Sequence, residues 1–203
     1  MPIDRRIFSA AALALAAAPL LPRDASAATV GDNGLHTQPF FLDTFLDLGE
    51  DLAEAQAEGK GLAVFFEQRG CPYCKEMHEV NLSSQKVLDT ILPHFNFVQL
   101  DIWGSREVTD FDGEAIEERE LAQRWGVNFT PTISFFAEDT QADGTQGGRM
   151  LEAARMPGYF KPFHFVSMFE FVAGGQHKDM SFQRFLQDKF ADYETRGEKP
   201  DVW

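Results

Sequence analysis

The chain has two cysteines, and they stand together as Cys71-Pro72-Tyr73-Cys74. Two thiols at this spacing cannot build a disulfide framework or a four-thiolate metal site, but they can form a reversible dithiol/disulfide. The flanking pattern narrows what the chain can fold into. Leu62-Ala63-Val64-Phe65-Phe66 is strand-like, Glu67-Gln68-Arg69-Gly70 turns the chain, and the sequence reads as helix from Pro72 onward. Proline suits a first helical turn, where its missing N–H costs nothing. Cys71 is then placed at a helix N-terminus, where free N–H groups and the macrodipole favour a thiolate, the form that attacks disulfides. The bland alternative is a pair of inert thiols, which would call for a buried apolar setting.

The N-terminus bears on the compartment. Asp4-Arg5-Arg6-Ile7-Phe8 is a short charged segment with an arginine pair. An alanine-rich apolar run from Ile7 to Leu21 follows, and Ala25-Ser26-Ala27 is an A-x-A cleavage signal. Residues 1–27 therefore read as a signal peptide. The apolar run falls short of the about 20 residues of a membrane span, which makes an uncleaved anchor the weaker reading. The arginine pair fits twin-arginine export, and an ordinary Sec signal with two arginines stays open. Either route leads to an oxidising compartment, expected to be the periplasm, where a dithiol acting as a reductant needs an outside electron supply.

Cleavage would leave enough chain for one domain with a real core. The signal holds three Arg and two Asp, so the remainder carries one more negative charge than the −14 of the full chain. That balance disfavours nucleic-acid binding and favours solubility. The 20 phenylalanines are expected mostly in the core.

Residues 28–40 read as an irregular segment. Residues 41–58, with Leu42, Phe45, Leu46, Leu48, Leu52 and Ala53 among acids, predict an amphipathic helix, ended by Gly59 and Gly61. Lys75 to Leu92 predicts a helix, kinked or broken at Asn81-Leu82-Ser83-Ser84, and Phe95 to Ile102 a strand. Residues 103–116 read as an acidic, glycine-containing insertion. Glu117 to Trp125 predicts a helix stopped by Gly126, and Pro131 to Ala137 another strand. Glu138 to Gly148 reads as a polar hairpin loop with Asp143-Gly144 at its tip. Residues 149–155 are expected as the last strand. Pro162 to Val172 and Ser181 to Phe190 predict a terminal helical region broken at Gly174-Gly175. Residues 191–203 read as a polar tail, frayed from Glu194.

The element order, with C-x-x-C near a βαβ unit, matches the thioredoxin pattern. Thr130-Pro131-Thr132, after Trp125-Gly126-Val127, is similar to the thioredoxin segment that ends in a cis-proline. Arg155-Met156-Pro157-Gly158-Tyr159 is similar to the glycine turn before the last helix. The resemblance covers about residues 41–190 and implies a thioredoxin fold: an α/β domain with a central mixed sheet flanked by helices, an N-terminal extension and the acidic insertion after the second strand. More narrowly, residues 66–78 around Cys71 and Cys74, and Asp101 to Asp110 with its run onto Pro131, resemble the SoxW-type periplasmic thioredoxins of bacterial sulfur-oxidation systems. This resemblance implies a thiol reductase; separately, no cofactor is expected and the chain is expected to be a monomer. The resemblance implies electrons from a membrane carrier of the CcdA type and a SoxYZ-type sulfur-carrier thiol as client. It also implies that the Thr130–Pro131 bond is cis, presenting the backbone of Thr130 to an extended client strand.

One departure stands out. Thioredoxins keep a buried aspartate six residues before the first cysteine, and here that position is Phe65. Glu67 lies two residues on, on the same strand face. It is either a substitute proton acceptor near Cys74 or, as carboxylates more often are, a solvent-facing group at a loop edge. Tyr73 either tunes the dithiol and contacts a client or only covers the disulfide. Cys71, Cys74 and His78 form a C-x2-C-x3-H set that lacks a fourth zinc ligand, with His94, His164 and His177 at no telling spacing, so no metal is expected. Trp103 and Trp125 read as core or groove walls, and Phe129 as groove lining or core. Two other classes remain: a periplasmic disulfide oxidase or isomerase, and a non-enzymatic metal- or thiol-binding module.

Overall fold

A computed structural model describes residues 29–199. The expected signal peptide (1–27) and the last four residues of the tail lie outside the described residues. In chain order the strands are β1 (Thr29–Val30), β2 (His36–Thr37), β3 (Gly61–Glu67), β4 (Phe95–Asp101), β5 (Glu107–Thr109), β6 (Ala115–Glu117), β7 (Thr132–Phe136) and β8 (Ala154–Pro157). The helices are α1 (Leu48–Ala57), α2 (Pro72–Glu76), α3 (Gln85–Ile91), α4 (Glu118–Arg124), α5 (Gly148–Leu151), α6 (Pro162–Ala173) and α7 (Phe182–Thr195).

The central sheet has the order β4-β3-β7-β8. β3 pairs in parallel with β4 and antiparallel with β7, which pairs antiparallel with β8. All seven residues of β3 are buried, as expected for an inner strand covered on both faces. Successive side chains point to opposite faces, and each face has its own core. Ala63 and Phe65 pack with Phe97, Phe135, Phe165 and Phe169 on one side. Leu62, Val64 and Phe66 pack with Leu100, Leu121, Trp125 and Phe136 on the other. This is the thioredoxin α/β arrangement that the sequence predicts, with helices on both faces of a mixed sheet.

The structure corrects four local expectations. The helix expected over 41–58 forms only at Leu48–Ala57. Leu46 has a positive φ of 60°, and Asp47 caps the helix by accepting the Glu50 N–H at 3.0 Å. Up to that cap the chain forms no helix, with Phe41 bridged to Phe97 and Asp47 to Thr109. Phe45 is left fully exposed rather than buried. Residues 28–40 are not wholly irregular, since β1 and β2 pair as a short antiparallel ribbon. The last strand is β8, not 149–155, because Gly148–Leu151 forms α5. That turn sits tight against Trp125 and Phe111: a Cβ at Gly148 would lie 2.1 Å from the Trp125 indole, so only glycine lets it seat there. Finally, α7 continues to Thr195, through the start of the segment expected to fray.

The insertion is a built element. β5 and β6 pair antiparallel within and beside it. Asp110, buried, accepts from the Phe111 and Gly148 amides at 2.8 Å each and from Trp125 Nε1 at 3.1 Å. Trp125 is core, as one reading had it, whereas Trp103 is 68% exposed.

Asp51 on α1 is buried, and burial pushes its carboxyl up to about 6 from 3.8, with Glu54, Asp47 and Glu50 adding to the rise against the Thr44 hydroxyl bond. The folded state therefore holds the proton more tightly than the unfolded chain. The associated stability is fully present below about pH 4 and is lost as pH rises through about 6. Asp51→Asn is expected to stabilise the fold by about 1–2 kcal/mol at pH 7 and by almost nothing at pH 4. Urea melts at the two pH values measure this, and an equal effect at both would refute the assignment to Asp51.

Candidate active site

The dithiol lies where β3 hands over to α2. Gly70, with φ of 69°, makes the turn, and Pro72 occupies the first helical turn. Cys71 is the N-cap residue, and its Sγ accepts the Cys74 N–H at 3.0 Å. Cys71 and Cys74 are joined in a disulfide. Cys74 is fully buried, and Cys71 keeps a trace of exposure at 3%. A helix start aims its free N–H groups at the more accessible sulfur.

The Thr130–Pro131 peptide bond is cis. The segment comes from the start of β7 and crosses the dithiol. The Thr130 carbonyl oxygen lies 3.6 Å from Cys71 Sγ, and the Thr130 hydroxyl donates to that sulfur at 3.4 Å. Phe129, just before it, is 67% exposed and so is no core residue. Tyr73 is 59% exposed, with its ring stacked 6.5 Å from that of Tyr159. Burial and the nearby Glu76 carboxylate hold the Tyr159 phenol above its usual range. Trp103 donates its indole N–H to Gln68 Oε1 at 2.7 Å, on the turn that leads into Cys71. The site is thus rimmed by exposed aromatics.

The structure overturns the more ordinary reading of Glu67. Its carboxylate is completely buried. Oε1 meets His78 Nε2 at 2.9 Å, and Oε2 accepts from Gln99 Nε2 at 3.1 Å. Gln99 also donates to the His36 carbonyl at 2.6 Å. Phe65, at the place of the thioredoxin aspartate, is buried among Phe41 and Phe97. His78, considered only as a partial metal ligand, is also completely buried and engaged with Glu67. No group of three or more His, Cys, Asp or Glu placed to hold a metal occurs among the described residues.

The inward turn of His78 had a signal in the sequence. Cys74, His78 and Asn81 fall at the i, i+4, i+7 spacing of one helix face, and all three are buried. The local geometry departs from a regular helix. Residues Met77–Asn81 form a π-helical turn, closed by the Leu82 amide donating to the Met77 carbonyl at 2.9 Å. Asn81 Nδ2 donates to the Phe160 carbonyl at 2.9 Å. The break at Leu82–Ser84 falls where the sequence predicts a kink, and the π-helical turn lies just before it.

Residues 48–173 match the thioredoxin-like domain family. Among solved structures, a thioredoxin-fold protein from Helicobacter pylori is similar over 76% of this chain and 89% of its own, at 24% identity and a TM-score of 0.52. A thioredoxin from Thermus thermophilus is similar over 66% of this chain and 94% of its own, at 24% identity and a TM-score of 0.48. The oxidised C-terminal domain of DsbD from Neisseria meningitidis aligns over 60% and 88%, at 19% identity and a TM-score of 0.43. No curated protein matches the chain significantly.

Proposed function

The chain belongs to the thioredoxin-like family, and on that premise we propose that this thiol–disulfide oxidoreductase works as a periplasmic reductase of exported partner proteins. The observation that carries the direction is the charge around Cys71. Both flanking cations are engaged by carboxylates: Arg69 Nε lies 3.8 Å from Asp101, and Lys75 Nζ 3.7 Å from Glu79. A third carboxylate, Glu67, is buried at the end of β3, four residues before Cys71. Little positive charge is left to stabilise a thiolate. A dithiol becomes a strong oxidant only when its reduced form is strongly stabilised.

The motif resemblance to SoxW-type proteins supports a sulfur-carrier thiol of the SoxYZ type as client and a CcdA-type membrane carrier as electron donor. The leader-like residues 1–27 support export. The Thr130 carbonyl beside Cys71, with exposed Phe129 and Tyr73 around it, suits an extended client segment.

Redox titration of the protein lacking residues 1–27 against dithiothreitol tests the direction. The potential is expected below about −200 mV, nearer the about −270 mV of thioredoxin than the about −120 mV of strong oxidants. A value near the oxidising end would make the protein an oxidase. Copper binding without disulfide turnover would make it a binding module.

A further inference from the structure

We propose that His78 accepts the proton of the Cys74 thiol when Cys74 resolves the mixed disulfide, with Glu67 as the residue that positions its imidazole. The inference rests on the exchange chemistry assigned above and adds residues the thioredoxin pattern does not supply, since Phe65 fills the place of its aspartate.

The Glu67 carboxylate has no oxygen free to serve the cysteine itself. One oxygen is held by His78 Nε2 at 2.9 Å and the other by Gln99 Nε2 at 3.1 Å. The carboxylate is an acceptor, so it selects the tautomer that carries the proton on Nε2. That leaves Nδ1 as the basic nitrogen. Nδ1 is buried and has no hydrogen-bond partner among the described residues. A buried acceptor without a partner is costly, and a group that receives a proton during turnover accounts for keeping one here. Cys74 lies one helical turn before His78, and both are completely buried. A carboxylate fixing an imidazole whose other nitrogen serves a nucleophile is a general means of activating that nucleophile.

The groups that face His78 come from several elements. Glu67 comes from β3, and Gln99 on β4 holds its other oxygen. The His36 ring of β2 lies 5.9 Å away, and the Phe41 ring stacks at 5.7 Å. Gln38 Nε2 donates to the His78 carbonyl at 3.3 Å. On its own helix, Lys75 and Glu79 are half exposed and paired with each other.

The step balances without a further reagent. The Cys74 S–H proton moves to His78 Nδ1, and the Cys74 sulfur forms a bond to Cys71 Sγ. The bond between Cys71 and the client sulfur breaks, and the client leaves as a thiolate with the electron pair. The imidazolium proton then passes to that thiolate or to solvent. The dithiol has lost two electrons and the client disulfide has gained them.

With the protein first reduced, an aromatic disulfide, dithiobis(nitrobenzoate), separates the two steps, since Cys71 attack and Cys74 resolution each release one coloured thiol. His78→Gln keeps an N–H for Glu67 but removes the base. It is expected to leave the first release within about twofold, to slow the second by about 10²-fold at pH 7, and to make the second rise in proportion to hydroxide. Glu67→Gln should slow the second release by about tenfold. An unchanged second release, or equal slowing of both, would overturn the proposal. If the wild type releases neither thiol, the exchange reading itself fails.

Discussion

Cys71→Ala is expected to abolish disulfide reduction, whereas Cys74→Ala is expected to stall as a covalent adduct with the substrate. The two sulfurs differ in setting although they share a disulfide. Cys71 caps α2, receives the Cys74 N–H at 3.0 Å and the Thr130 hydroxyl at 3.4 Å, and is the more accessible of the two. Each of these bonds favours the thiolate once the disulfide opens, and the thiolate is the nucleophile. Cys74 is sealed inside, one turn on, where it can reach only a sulfur already bound at Cys71. Removing Cys71 removes the attack, and removing Cys74 removes the release. Insulin reduction measures the first effect. Mass spectrometry of a stable one-to-one adduct measures the second, and with Cys74→Ser the same adduct captures clients from an extract. Stable adducts formed by the Cys71 variant alone would reverse the roles.

Glu118→Ala is expected to destabilise the protein by about 3 kcal/mol, lowering the melting temperature by about 6–12 °C. Glu118 opens α4 and is only 1% exposed. Its carboxylate accepts the Asp101 amide at 2.9 Å, the Arg106 amide at 3.3 Å and the Arg106 guanidinium at 2.6 Å. One side chain thus ties the end of β4 to both ends of the insertion. Alanine would leave the buried Asp101 amide without an acceptor. The guanidinium is about half exposed and can turn to water, so the loss falls short of a fully buried ion pair. Glu118→Gln keeps one oxygen for the amides and should lose about 1 kcal/mol. Thermal melts of the three proteins decide the matter. A loss under about 1 kcal/mol for alanine would show that the insertion is held by Asp110 and its partners alone.

Much of the architecture was legible along the chain, because a strand or helix is first a local pattern. The apolar run before Cys71 can only be an inner strand, and it is buried along its whole length. Proline after Cys71 marks a helix start wherever the helix packs. The alternation through Phe95-Asn96-Phe97 and the glycine after Trp125 likewise act within a few residues. The failures share a cause too. Leu42, Phe45 and Leu46 carry a fair helical period, yet no helix forms there, because Phe41 bridges to Phe97 and Asp47 to Thr109 far along the chain. No window of sequence around Phe45 contains those partners.

The site divides along the same line. The dithiol, its turn and the Thr130-Pro131 segment are motifs of adjacent residues, so the amino-acid order alone determined what chemistry the chain carries. Burial of a carboxylate is different in kind. Glu67 alone, with two unsatisfied oxygens, would be driven to water. It stays inside because His78, eleven residues on, and Gln99, thirty-two residues on, each give it a hydrogen bond. Only the tertiary structure brings a helix turn and a neighbouring strand together at that carboxylate. The setting of Glu67 was therefore decided by the fold, since the free energy of a buried charge depends on partners that sequence proximity does not name.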